Sequence, residues 1–132
     1  MNRSDILAKL RDFPYDPGEY WVITGGAMVL YDLREETSDL DLGCTPRLAD
    51  QLEAGGFLHQ VTPDGNRWFK LGGDVEIFEN WLFDTVTSVD GVPVISLRGL
   101  LRMKQALGRE KDRRDAERIL ARLRQTGPEE PA

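Results

Sequence analysis

Two stretches of this chain alternate in the same unusual way. In "SDLDLGC" (residues 38–44) and again in "GDVEIFE" (residues 73–79), acidic and apolar residues take turns. A period of two is the pattern of a strand with one buried face. Acidic residues are poor strand formers, so the carboxylates need a reason to be there. Each stretch constrains the fold to a sheet with Leu40, Leu42, Val75 and Ile77 turned to a core, and with Asp39, Asp41, Asp74 and Glu76 on the other face. Carboxylates two positions apart on a strand lie about 7 Å apart at the backbone, within reach of a shared cation. Left without one, they repel by about 2 kcal/mol at an effective dielectric of ~20. A wet strand face accounts for one such stretch; a second with the same arrangement favours a site.

The remaining segments supply the elements around these strands. Ser4 is read as the cap of an amphipathic opening helix carrying Ile6, Leu7 and Leu10, which "YDPGE" ends. "YWVIT" is a buried strand that runs into Gly25 and Gly26, after which "AMVLYDL" is helical. "TPRLADQLEAGG" predicts a helix capped by Thr45 with Pro46 at its first position. "FLHQV" and "RWFKL" flank the turn "TPDGN" as a hairpin, and "VPVISL" is a further strand or extended approach to the last helices. "SLRGLLRMKQALG" is helical until Gly108, and "EKDRRDAERILARLRQ" resumes with Ala116, Ile119, Leu120 and Leu123 at helical spacing. The expected fold class is α+β: a small mixed sheet, helices packed mainly on one side, and C-terminal helices. Residues 1–132 are read as one domain with a frayed polar tail at 128–132.

Composition removes several function classes. With 17 basic and 23 acidic residues the net charge is −6, so no global attraction to nucleic acid or anionic membrane is expected. The single cysteine, Cys44, excludes an internal disulfide framework and a Cys-rich zinc site, and is read as a small buried side chain. No apolar run has the length of a signal peptide or membrane span, which points to a cytoplasmic protein without a membrane partner. The only histidine, His59, is read as structural.

Gly25 and Gly26, at a strand-to-helix junction, fit either a tight turn or a phosphate cradle of backbone N–H groups. Together with the acidic strands they form the succession "ITGG", "SDLDL", "VEI", which resembles the nucleotidyltransferase fold of the polymerase-beta type. The closing segment "GVPVISLRGLLRMKQALGREKDRRDAERIL" is similar to the tail of its small bacterial and archaeal members, with a lysine-bearing helix followed by Arg-x-Lys-Asp-x-x-Asp. Here Thr24 precedes the glycines where a plain hydrophobe is usual. The resemblance implies transfer of a nucleoside monophosphate from a nucleoside triphosphate, with ATP the expected donor, to an acceptor hydroxyl on RNA, a protein or a small molecule. It implies Mg2+ (or Mn2+) on Asp39, Asp41 and Glu76, with Asp74 the alternative third carboxylate. It also implies Gly25, Gly26, Thr37 and Ser38 on the nucleotide, with Lys104 as a phosphate partner or simply a solvated helix lysine. Small members of this group often belong to toxin–antitoxin pairs, so an antitoxin-like binding module facing a toxin-like protein is the second expectation. The mixed charges of "GREKDRRDAER" are expected to pair i,i+4 on a solvated helix rather than to meet RNA.

Overall fold

The structure, a computed structural model, describes residues 1–126; the tail expected at 128–132 lies outside them. The strands are β1 (Tyr20–Val22), β2 (Leu40–Cys44), β3 (His59–Val61), β4 (Arg67–Lys70), β5 (Val75–Glu79), β6 (Val86–Val89) and β7 (Val92–Ile95). The helices are α1 (Arg3–Arg11), α2 (Thr24–Leu30), α3 (Pro46–Ala54), α4 (Leu97–Leu107) and α5 (Glu110–Thr126). The strands form one seven-stranded mixed sheet in the order β3-β4-β5-β2-β1-β7-β6. The two acidic strands, β2 and β5, are parallel neighbours in its middle, and β1 lies antiparallel on the other side of β2.

Register decides what each face carries. Leu40, Leu42, Cys44, Val22, Phe69 and Ile77 share one face, and all are fully buried. A Cβ placed on Gly26 of α2 would lie 3.0 Å from Val22 Cγ1, 3.1 Å from Leu40 Cδ1 and 3.9 Å from Ile6 Cδ1, so α1 and α2 cover this face. α3 joins them, its Ala49 backbone beside the Cys44 thiol. Burial pushes that thiol up to about 12, which leaves no thiolate for chemistry at neutral pH. The opposite face carries Asp41 and Glu76 at one end. At the other, the Trp21 indole lies over Gly43 and donates to the Trp81 carbonyl at 2.8 Å, while Trp68, Phe78 and Trp81 stack in sequence.

Several boundaries differ from the sequence reading for local reasons. α1 is capped by Asn2, not Ser4: the Asn2 side chain accepts from the Asp5 N–H and the Asp5 carboxylate accepts from the Asn2 N–H, a reciprocal pair that begins the helix earlier. Gly25 and Gly26 stand inside the first turn of α2 rather than before it. β6 was not anticipated, although "VTSVDGVPV" contains its signal: Asp90 and Gly91 at φ 51° and 77° form the two-residue turn that joins β6 to β7. With it the sheet is larger than the small one expected. Of the apolar residues at helical spacing in α5, Leu120 is 36% exposed, whereas Ile119 is fully buried. No helix among the described residues is long and apolar enough to cross a membrane.

Candidate active site

A cleft of about 570 Å³ opens where β1 ends, α2 begins and the α4–α5 hairpin folds back, lined among others by Thr24, Gly25, Arg34, Thr37, Ser38, Asp39, Asp41, Lys104 and Arg109. Its acidic wall comes from β2. Asp41 is half-buried on the strand and Asp39 exposed one residue before it. Asp41 pairs in register with Glu76 of β5, so the two side chains leave the same face with backbones about 4.8 Å apart. Burial holds both carboxyls above the usual carboxylate range. Each also feels the other acidic residues, Asp41 from Asp39 and Glu76 from Asp41 and Asp39. Against this, the Thr24 hydroxyl and then Lys104 and Arg109 pull Asp41 down.

Asp74 precedes β5, is exposed, and uses its backbone carbonyl to accept from the Leu40 N–H at 2.7 Å. It is not among the charges that shift Asp41 or Glu76. Glu76, and not Asp74, thus stands beside Asp41 on the sheet, although neither lines the cleft itself. Among the described residues no three acidic, histidine or cysteine side chains already stand together as an ion cage.

Gly25 faces the cleft because only hydrogen fits there. A Cβ would lie 2.3 Å from Thr37 Oγ1 and 3.0 Å from Arg34 Nη1. Gly25→Ala is expected to displace the loop carrying Thr37, Ser38 and Asp39 and to cost about 1–3 kcal/mol, read as a lower thermal midpoint. An unchanged midpoint would show that Thr37 moves aside freely. Gly26 does not line the cleft; its missing side chain serves packing against Val22 and Leu40. Thr37 N–H donates to the Met1 carbonyl at 2.8 Å, and its hydroxyl to the Asp39 carbonyl at 3.3 Å. Ser38 is exposed at the cleft's rim.

The basic wall overturns the solvated-helix expectation. Lys104 is 4% exposed on the apolar stripe of α4, with Nζ 2.9 Å from Asp115 Oδ2 and 3.4 Å from Asp112 Oδ1. Asp112 and Asp115 of α5 are 0% and 3% exposed. Asp115 also takes Arg34 at 2.8 Å, and Asp112 takes Arg109 through Nε at 2.6 Å and Nη2 at 3.2 Å. Burial alone would raise the Asp112 carboxyl, but the Arg109 bonds and the Lys104 charge hold it below the usual range. Three cations thus share two buried carboxylates, which leaves excess positive charge facing Asp39 and Asp41. Of the charged residues read as solvated, Arg114 does pair i,i+4, with Glu110 at 3.4 Å. Gly108, in the left-handed region at φ 65°, makes the turn that folds α5 back onto α4 and brings these charges together.

Sequence reasoning missed Arg109, Asp112 and Asp115 as members of the site. Spacing held the signal: Lys104 falls in the series Leu97, Leu100, Lys104, and Asp112 in the series Asp112, Ala116, Ile119, so each charge lies on its helix's buried stripe. His59, read as structural, lies against Phe69 with ring centroids 5.3 Å apart and planes tilted by 51°, beside Glu53 and away from the cleft. No family model matches this chain, and no curated protein sequence matches it.

Proposed function

We propose that the cleft carries out nucleotidyl transfer: an acceptor hydroxyl attacks the α-phosphorus of a nucleoside triphosphate, the bond to the bridging oxygen breaks, and pyrophosphate leaves. The observation that carries this reading is the pairing of walls in one cleft, Asp39 and Asp41 on one side and Arg34, Lys104 and Arg109 on the other. Carboxylates that need a cation, across from three cations that outnumber their two carboxylate partners, suit a metal–phosphate ligand better than either alone. Asp39, Asp41 and Glu76 offer only oxygen donors, the set that Mg2+ or Mn2+ takes; burial raises the Asp41 and Glu76 carboxyls, and the one cation paired with Glu76 among the described residues is Lys70, at 4.0 Å. Asp39 and Asp41, with Glu76 one strand away, would hold the ion, which supplies neutralisation of the phosphate oxygens. Glu76, its carboxyl held high, is suited to take the acceptor's proton. Gly25 lets Thr37 and Arg34 close against the start of α2 at the cleft wall, and Arg34, Lys104 and Arg109 offset the charge of the leaving pyrophosphate. The polymerase-beta-like nucleotidyltransferase fold, ATP as donor, and an RNA, protein or small-molecule acceptor belong to the same proposal.

Incubation with labelled nucleoside triphosphates, Mg2+ and each acceptor class is expected to give label transfer with release of pyrophosphate. No transfer to any of them, with no nucleotide binding, would count against the reading. A second reading, association with a toxin-like protein without transfer, is favoured by the sheet edge. β3 is the terminal strand; Leu58 just before it and Val61 at its end are 91% and 63% exposed. A stable complex unchanged by Asp41→Asn, from a chain that transfers nothing, would support it.

A further inference from the structure

Thr24 is the one residue in the cleft whose backbone contradicts its side chain. It opens α2 at φ 50°, in the left-handed region that favours glycine, and a β-branched residue there is a conformational outlier. Gly25 and Gly26, the next two residues, do not use that region; they are glycines because of what a Cβ would strike. The position that asks for glycine's conformational freedom is therefore occupied by threonine. What threonine adds is on the page: its Oγ1 donates to Asp41 Oδ2 at 2.7 Å. The same two segments are tied again by the Ile23 N–H, which donates to the Asp41 carbonyl at 3.0 Å. Ile23 provides no side-chain cap to α2, so the Thr24 hydroxyl is spent on Asp41 and not on its own helix.

We infer that Thr24 is a positioning residue for Asp41, its hydroxyl fixing one carboxylate oxygen so that Oδ1 is presented to the cleft in a single orientation. Local strain persists where surrounding structure over-determines it, and it concentrates at functional sites. A hydrogen bond from outside the ligand set is the usual means of orienting a metal-binding carboxylate. This inference rests on the reading of Asp41 as a cation ligand, and it is specific to the hydroxyl rather than to the shape of the turn.

Three variants separate hydroxyl, strain and shape. Thr24→Ser keeps the donor, Thr24→Val keeps the branch and loses the donor, and Thr24→Gly removes both donor and strain. Mn2+ titration followed by the EPR signal of the free ion is expected to show affinity weakened about tenfold or more in Thr24→Val and Thr24→Gly, and within about twofold of wild type in Thr24→Ser. Thermal midpoints of the metal-free proteins should not follow that order, since Thr24→Gly releases the backbone and is expected to melt above Thr24→Val. Wild-type affinity in Thr24→Val and Thr24→Gly, or equal weakening in Thr24→Ser and Thr24→Val, would overturn the inference. If the wild type binds no Mn2+, the ligand reading of Asp41 fails by itself, and the carboxyl carbon resonance of Asp41 in metal-free protein then decides. A resonance moved in Thr24→Val and Thr24→Gly and restored in Thr24→Ser supports positioning, and one unmoved throughout refutes it.

Discussion

Asp115→Ala is expected to lower the unfolding free energy by about 3–5 kcal/mol, the cost of leaving buried charge without its partner. The Asp115 carboxylate is 3% exposed and binds Lys104 and Arg34 through the same oxygen, at 2.9 and 2.8 Å. Without it, Lys104, 4% exposed, keeps only Asp112 at 3.4 Å, and Asp112 is already held by Arg109. Domains of this size have about 5–15 kcal/mol in total, so the variant should unfold at a much lower denaturant concentration and partly populate unfolded states at growth temperature. Glu110→Ala, on the same helix, removes the exposed pair with Arg114 and is expected to change stability by less than about 1 kcal/mol. Equal small losses for the two variants would show that water reaches the cluster and that the burial is not energetically felt.

The cluster also explains why α5 folds back at Gly108. Burying two aspartates and a lysine between two helices is unfavourable for either helix alone, and it becomes tolerable only when the hairpin closes and each carboxylate meets a cation from another element. Arg34 comes from the loop after α2 and Lys104 from α4. Asp115 therefore braces the loop that leads to Thr37, Ser38 and Asp39 against the C-terminal helices. In this way packing energetics and cleft geometry rest on the same side chains.

How much of this was legible in the sequence depends on the range of the interaction. β2, β5 and β7, and the helices opened by Thr45 and Ser96, were readable because alternation and capping are local, and their registers follow from the apolar faces. Of the residues singled out by the motifs, Gly25, Thr37, Ser38, Asp39, Asp41 and Lys104 line one cleft, whereas Gly26, Asp74 and Glu76 do not. The buried ions were not read, because a charge is solvated by default and the partners that make burial tolerable are 8 and 11 residues away on the next helix, or, for Arg34, across the chain. The placement of Lys104 among Leu97, Leu100 and Met103 was the available hint. Gly26 shows a different limit. The glycine pair fits a tight turn or a phosphate cradle as a sequence, and only the structure shows that a Cβ on Gly26 would meet Val22, Leu40 and Ile6. Motif letters cannot separate a glycine that admits a phosphate from one that admits a neighbouring side chain.

Asp41→Asn is expected to produce two effects of opposite sign. Transfer should fall by on the order of 10³-fold, since several kcal/mol of charge stabilisation are lost at about 1.4 kcal/mol per factor of ten. The metal-free protein, by contrast, should become more stable at neutral pH. Burial, and the charges of neighbouring acidic residues, raise the folded-state values of Asp41 and Glu76 above their ordinary ones. Between the unfolded and folded values the native state holds more protons than the unfolded chain, so wild-type stability rises as pH falls across that window. The destabilisation is therefore complete above the raised values and gone below the ordinary ones, 3.8 for Asp41. Asparagine carries no such penalty and can still accept from the Thr24 hydroxyl. The advantage of Asp41→Asn should be largest near pH 7 and shrink toward zero as pH falls below about 4. Melting curves without divalent ions at both pH values, set beside label transfer with Mg2+, measure the two effects on one pair of proteins. A variant that is less stable than wild type by the same margin at both pH values would mean that Asp41 is a structural carboxylate, already satisfied without a cation. A variant that is more stable at neutral pH yet still transfers label would leave the charge where it is and move the chemistry elsewhere.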